Sequence, residues 1–298
     1  MKPTLIYEMA KIDELHAKYE AMMAVKPACV DSQQWEKTYR FARNLTNEYP
    51  YALSFLGKPT PGFQGREAEV SAVRQSLSKR RIRSCVLIGP PGIGKTEIVK
   101  KALSEANTKD LFLRVDVGSI ISGCTLVGMV EERVERIFKA IAEFNSENVG
   151  KCGICLFVDE IHTLFAANKS KTNASVPIAD MLKPMLADGT LTIIGATTKD
   201  DYDETIKSDK ALLRRLPPIF VSESDDPATN AIVSDFAGTS MSAKAVAKCV
   251  ELSHGITYLN NPDCALEIAD RAISKAMAEK RKAATENDVI EVVSMMAE

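Results

Sequence analysis

The sequence predicts an α/β protein: a parallel, doubly wound sheet, followed by a small all-helical unit and preceded by a helical extension. Three observations carry that prediction. Short apolar runs at Cys85–Ile88, Leu111–Val115, Ile154–Val158, Leu191–Ile194 and Ile219–Val221 alternate with helix-length amphipathic segments, as in a sheet covered on both faces. A glycine-rich segment, Gly89-Pro90-Pro91-Gly92-Ile93-Gly94-Lys95-Thr96, lies between the first run and a helical stretch over 97–105. Beyond Ser224 the apolar spacing is helical throughout.

The elements follow in order. Leu5, Met9, Ile12, Leu15, Tyr19 and Met22 make one apolar stripe, and Pro27 ends it. Asp31 or Ser32 then caps a second helix with Trp35, Tyr39, Ala42 and Leu45 on one face. The proline- and glycine-rich stretch from Tyr49 to Phe63 reads as a linker. Gly65-Arg66-Glu67 starts a helix that runs through Leu77, and Ser78–Arg83 is a charge run near the glycine-rich segment. A helix over 131–143 separates the next two strands. Four helices close the chain, near Pro227–Phe236, Ser242–His254, Pro262–Glu279 and Thr285–Met296, the last opened by a Thr285-x-x-Asp288 capping box.

Bulk properties narrow the function classes. The 298 residues are 45% hydrophobic and 26% charged, with a net charge of −2, so no global basic field favours nucleic acid or an anionic membrane. No apolar run reaches membrane-spanning length and the N-terminus shows no signal-peptide core, which together predict a cytoplasmic protein. Seven cysteines, several within apolar runs, suit reduced thiols. Cys152 and Cys155 form a C-x-x-C that reads as a loop residue and a strand residue rather than a metal site.

Strand, then G-x-x-x-x-G-K-[ST], then helix is the context of a phosphate-binding loop. Glycines 89, 92 and 94 let the backbone curl so that several N–H groups face one anion at a helix N-terminus. Lys95 is placed to reach the β- and γ-phosphates and Thr96 to hold Mg²⁺. The strand Ile154–Val158 ends in Asp159-Glu160. There Asp159 serves as a second magnesium residue and Glu160 as the base that polarises water. The next strand ends in Gly195-Ala196-Thr197-Thr198, where a threonine hydroxyl is placed either to sense the γ-phosphate or to position the water, and the pair Arg214-Arg215 has the form of an arginine finger.

With these motifs in this order, the chain resembles the first AAA+ module of the Clp chaperone ATPases, the heat-shock unfoldases and disaggregases, from about Gly65 to Ala272. Gly65-Arg66-Glu67 is similar to the motif that opens the module near the adenine. Gly89–Thr96 matches Walker A, with Glu97 following, and Phe157–Leu164 matches Walker B with its tail. Leu182–Gly189 resembles the segment before the sensor strand, and Gly195–Thr198 through Arg214-Arg215 fits without a gap. Pro262–Leu266 corresponds to the lid motif.

The resemblance implies a P-loop NTPase fold: a helical N-terminal extension and linker (1–57), an AAA+ large domain (58–223) and a helical lid domain (224–298). It implies ATP and Mg²⁺ as cofactors and a catalytic set of Glu160, Thr198, Arg214 and Arg215. The nucleotide would be held by Gly65, Arg66, Gly89 to Thr96, Glu97 and Asp159. Its partners would be further copies of itself, in a hexameric ring, and a protein substrate or adaptor that docks on the N-terminal helices; nucleic acid is not indicated.

Two departures stand out. The pore segment reads Gly123-Cys124-Thr125-Leu126-Val127-Gly128, with Leu126 where the family has an aromatic residue, and Cys264 replaces the lid lysine, leaving Arg271 as a distant sensor-2 candidate. The chain reads as a single module that remodels a protein partner. The rival readings are an ATPase linked to nucleic acid, such as a helicase loader, and a nucleotide-switched scaffold.

Overall fold

The computed structural model describes residues 30–60, 63–105, 109–122, 128–166 and 178–296. The predicted first helix over Leu5–Met22 and the pore-segment residue Leu126 lie outside them. Six strands, β1 (Leu53–Phe55), β2 (Cys85–Ile88), β3 (Leu111–Val115), β4 (Ile154–Val158), β5 (Thr192–Thr197) and β6 (Pro218–Phe220), form one sheet in the order β1-β3-β4-β5-β2-β6. β2 to β6 are parallel and β1 runs antiparallel beside β3, with Leu53 opposite Val115.

β2, β4 and β5 are buried along their whole length, which is why they read as unbroken apolar runs. Successive side chains feed opposite faces. Val86, Ile88, Leu156 and Val158 join the core under helices Ser32–Glu48, Met129–Glu147 and Ile178–Asp188. Cys85, Leu87, Phe157 and Ile194 join the core under helices Glu67–Leu77 and Lys95–Glu105.

The stretch from Tyr49 to Phe63 is not wholly a linker. It contains β1, whose Phe55 ring stacks on Tyr39 at 5.6 Å. Three residues are too few to show an alternating pattern, and the neighbouring prolines and glycine hide them. Helix Ser32–Glu48 is capped by Asp31, which accepts the N–H groups of Gln33 and Gln34. Its Trp35, Tyr39, Ala42 and Leu45 belong to the sheet's own core.

The C-terminal helices Asp226–Ala237, Ala243–Ser253, Asp263–Ala278 and Glu286–Met296 enclose a separate core around Val233, Val246, Ile268 and Val289. Asp288 accepts both the N–H and the hydroxyl of Thr285 at 2.8 and 2.7 Å, so the capping box forms with the threonine donating twice. Among the described residues no helix is long and apolar enough to cross a membrane.

Candidate nucleotide site at the strand ends

β2 runs straight into the glycine-rich loop, which two backbone bonds anchor to the sheet: Gly89 N–H to Thr197 O at 3.2 Å and Val221 N–H to Ile88 O at 2.8 Å. A Cβ on Gly89 would sit 2.3 Å from Val221 O and 2.4 Å from Ile93 Cδ1, so only glycine fits. Gly92 and Gly94 have φ of +75° and +87°, left-handed values that carry no Cβ penalty in glycine. Pro90 and Pro91 are exposed, whereas Ile93 plugs the core below.

Lys95 is buried and donates to the carbonyls of Gly89 and Pro90 at 2.8 and 2.7 Å. Burial lowers its pKa, and the charges of Glu160 and Asp159 only partly oppose that. A cation held on backbone carbonyls can exchange them for anionic oxygens. Thr96 Oγ1 donates to Asp159 Oδ2 at 3.3 Å. The two hard oxygens of that pair suit Mg²⁺.

Two cofactor candidates have other engagements. Glu97 accepts the Thr60 N–H and Lys100 Nζ, both at 2.7 Å. Burial raises its pKa, but these donors outweigh burial and the net shift is downward. Arg66 is buried and clamps three segments together, donating to Ile93 O at 3.1 Å, Glu69 at 3.3 Å and Glu223 O at 3.5 Å. Gly65, at φ +73°, packs where a Cβ would meet Ala228 Cβ at 2.4 Å.

The helical unit touches the loop directly. Asn260 Nδ2 donates to Pro91 O at 3.1 Å and the Asp263 N–H to Gly92 O at 3.3 Å. Cys264, in the lid motif, is buried against Ser253 O, and burial pushes its thiol up to about 11. Arg271 pairs with Glu267 on its own helix at 2.6 Å.

Asp159 and Glu160 stand at the end of β4, beside the loop. Asp159 also faces Arg114 at 3.7 Å, a residue the sequence reading did not select. Its signal is weak: one exposed position in the otherwise mostly covered β3. Glu160 has φ +49°, sparsely populated for a residue with a Cβ and of a kind that clusters at functional sites. Thr198 caps helix Lys199–Thr205, donating to Asp201 Oδ2 at 2.6 Å and accepting the Asp201 N–H at 3.3 Å. Its neighbour Thr197 is buried and bonds His162 Nδ1 at 2.9 Å.

Arg214 and Arg215 are elsewhere. They end helix Lys210–Arg215, which comes before β6, and Pro218 of β6 pairs with Val86 near the start of β2. The pair therefore lies toward the end of the sheet opposite the loop. Arg215 donates to Ala211 O at 2.8 Å, while Arg214 is exposed. The charge run Ser78–Arg83, expected near the loop, also precedes β2 and lies at that opposite end. Arg80, Arg81 and Arg83 line a cleft of about 370 Å³ there with Lys151 and Thr190. β2 has only four residues, so nearness in sequence masked separation by a strand's length.

Residues 85–222 match the family described as "ATPase family associated with various cellular activities (AAA)". Over 276 residues the chain is 33% identical to the chaperone protein ClpB of Bdellovibrio bacteriovorus, covering 87% of this chain and 30% of that protein. With ClpB of Clostridium perfringens it is 32% identical over 291 residues, 90% of this chain and 32% of that one. It thus spans about a third of the length of these relatives. Among solved structures it is similar to Hsp104 in its closed state with ATPγS and FITC casein, at a TM-score of 0.69 and 26% identity, covering 85% of this chain and 45% of that one. The S. cerevisiae Hsp104–ADP complex gives 0.67 and 27%, covering 80% and 42%. Fold, loop and sequence kinship agree: the chain belongs to the AAA family of ATPases, with ClpB and Hsp104 among its relatives.

Proposed function

We propose that the chain hydrolyses ATP and couples hydrolysis to remodelling a protein partner within a ring of its own copies. The observation that supports this most is the convergence of Lys95, Thr96, Asp159 and Glu160 at one end of the sheet. The backbone of Gly89–Gly94 cradles the phosphates, and Lys95 leaves its two carbonyls for the β/γ oxygens. Gly65 and Arg66 hold the loop against the lid junction, and Glu97 braces the following helix. Thr96 and Asp159 would hold Mg²⁺, which would supply charge neutralisation on the phosphates. Glu160 takes the proton of the attacking water, and Thr198 senses the γ-phosphate.

Arg214 and Arg215 cannot serve the loop of their own subunit from the opposite end of the sheet, so they act on a neighbour's nucleotide. Arg214, exposed and without an ion pair among the described residues, is the main finger; Arg215 supports the helix. The proposed ring is head-to-tail, of six copies in the cytoplasm, and acts on a protein substrate or adaptor recruited through the N-terminal helices. The relatives' names, a chaperone protein and an Hsp104 solved with casein, point the same way.

Glu160→Gln tests the hydrolytic core. General-base removal typically costs roughly 10²–10⁴-fold, so phosphate release should fall by that much while ATP binding persists. Unchanged turnover would remove Glu160 from the mechanism. Affinity capture with the same ATP-trapped variant should retain one defined partner protein in amounts comparable to the bait.

A further inference from the structure

Beside the hydrolytic end, three oxygens converge on one ring nitrogen. His162 Nδ1 lies 2.9 Å from Thr197 Oγ1, 3.4 Å from Glu160 Oε2 and 3.5 Å from Asp201 Oδ2. The imidazole is 18% exposed, the Glu160 carboxylate 53%. Asp201 in turn accepts the Thr198 hydroxyl at 2.6 Å. Four side chains from the ends of two neighbouring strands therefore form one connected line: Glu160, His162, Asp201, Thr198.

The line has a physical purpose. Glu160 starts from a left-handed backbone and makes no other side-chain hydrogen bond or ion pair among the described residues. Left alone, an exposed carboxylate would sample several rotamers, few of them directed at water beside a phosphate. Glu160 and Asp201 also repel each other, their ligand atoms and that of His162 all lying within 4.8 Å of one another. His162 Nδ1 lies between the two carboxylates, 3.4 Å from one and 3.5 Å from the other, and gives both one shared reference point. Thr197, fully buried, fixes the ring from below.

We infer that His162 is a positioning residue that sets the carboxylate of Glu160 and ties it, through Asp201, to Thr198. Engagement of Thr198 by a γ-phosphate then reaches the base directly, because Thr198 and His162 share Asp201. The inference rests on Glu160 being the general base.

The test is steady-state ATP hydrolysis by His162→Ala, His162→Asn and Asp201→Ala, with Glu160→Gln in the same assay and thermal melts for all four. A misplacement of about 1 Å at a reacting group can cost roughly 10²-fold. His162→Ala should therefore lose about 10- to 100-fold in kcat, with KM for ATP changed less than about twofold. Asn can place its amide near the Nδ1 position, so His162→Asn should recover most of that loss. Asp201→Ala leaves the ring in place and should lower kcat several-fold, again at constant KM.

A packing role predicts the opposite pattern: a lower melting temperature, no rescue by Asn and no selective fall in kcat. That pattern, or native kcat in His162→Ala, overturns the inference. If His162→Ala does not fold, His162→Asn and Asp201→Ala decide: native kcat in Asp201→Ala breaks the link to Thr198. The two readings fail separately. An active Glu160→Gln removes the general base itself, whereas an inactive Glu160→Gln beside an unimpaired His162→Ala removes only the positioning role.

Discussion

The two ends of the same parallel strands are built for opposite purposes. At the loop end, charged groups are held by weak or exchangeable partners: Lys95 by two carbonyls, Asp159 by Thr96 at 3.3 Å, Glu160 by His162 at 3.4 Å. At the far end the polar groups close on one another. Arg83 pairs with Asp110 and donates to Leu77 O, while Asp110 also accepts the Gly153 N–H at 3.0 Å and the Cys155 thiol. Burial, and then the charge of Asp110, push that thiol well above its ordinary range. The loop end is arranged for a ligand and the far end for the fold. Arg80, Arg81 and Arg214 also stand at the far end, exposed and without an ion pair among the described residues.

The sharpest way to break this contrast is to ask whether the two ends meet in different copies. Lys95→Ala disables the loop end, and Arg214→Ala the far end. Removing an arginine finger costs about 10³-fold or more in related phosphoryl-transfer systems, so each variant alone should be nearly inactive. Mixed one to one, about a quarter of the interfaces in a head-to-tail ring would pair an intact loop with an intact arginine. Phosphate release should then reappear at that order. A mixture no faster than the mean of its parents would show that the two ends do not meet.

A smaller effect separates the ends within one chain. Asp110→Ala leaves Arg83 and the Gly153 N–H without their acceptor. Breaking a buried pair costs about 3–5 kcal/mol, and the 30% exposure of Arg83 reduces this to about 2 kcal/mol through solvent screening. Urea unfolding should show that loss, while kcat per folded molecule stays native. A selective loss of kcat would make the Arg83–Asp110 network part of the catalytic machinery.

What could be read from the sequence follows from the scale of each interaction. β3 and β4 run over the residues predicted, Leu111–Val115 and Ile154–Val158, because strands buried on both faces leave an uninterrupted apolar mark. The loop was legible because its glycines answer to local backbone geometry. β5 extends to Thr197, beyond the predicted end at Ile194, because Gly195, Ala196 and Thr197 continue to pair with β2; small and polar residues there carry no apolar signal. β1 depends on a partner 60 residues away, so nothing local announces it. His162, Arg114 and Asp201 matter through distances across strands, which spacing along the chain does not encode. Thr198 and Asp201 are the partial exception, since a cap and an acid three residues on form a local pattern.

Asp209 connects the contrast to pH. It caps the helix that carries Arg214, accepting the N–H groups of Ala211 and Leu212 at 2.8 and 3.2 Å and Lys183 Nζ at 2.6 Å. Burial raises its pKa, but Lys183 and the two backbone donors outweigh it and hold the carboxyl below its ordinary value. A carboxylate with a depressed folded pKa contributes stability above its unfolded value, near 3.9, and loses it as pH falls through the lower folded value. Melting temperature followed from pH 7 to 2 should therefore drop more in the native chain than in Asp209→Asn, which keeps a capping oxygen but cannot titrate. Asp209→Ala removes the cap at every pH and should cost about 1 kcal/mol. That loss should also lower the rate at which the exposed arginine serves a neighbouring loop, by a few-fold at neutral pH. If acid sensitivity is the same in native and Asp209→Asn proteins, the helix bearing Arg214 is held by its packing through Leu212 rather than by its cap.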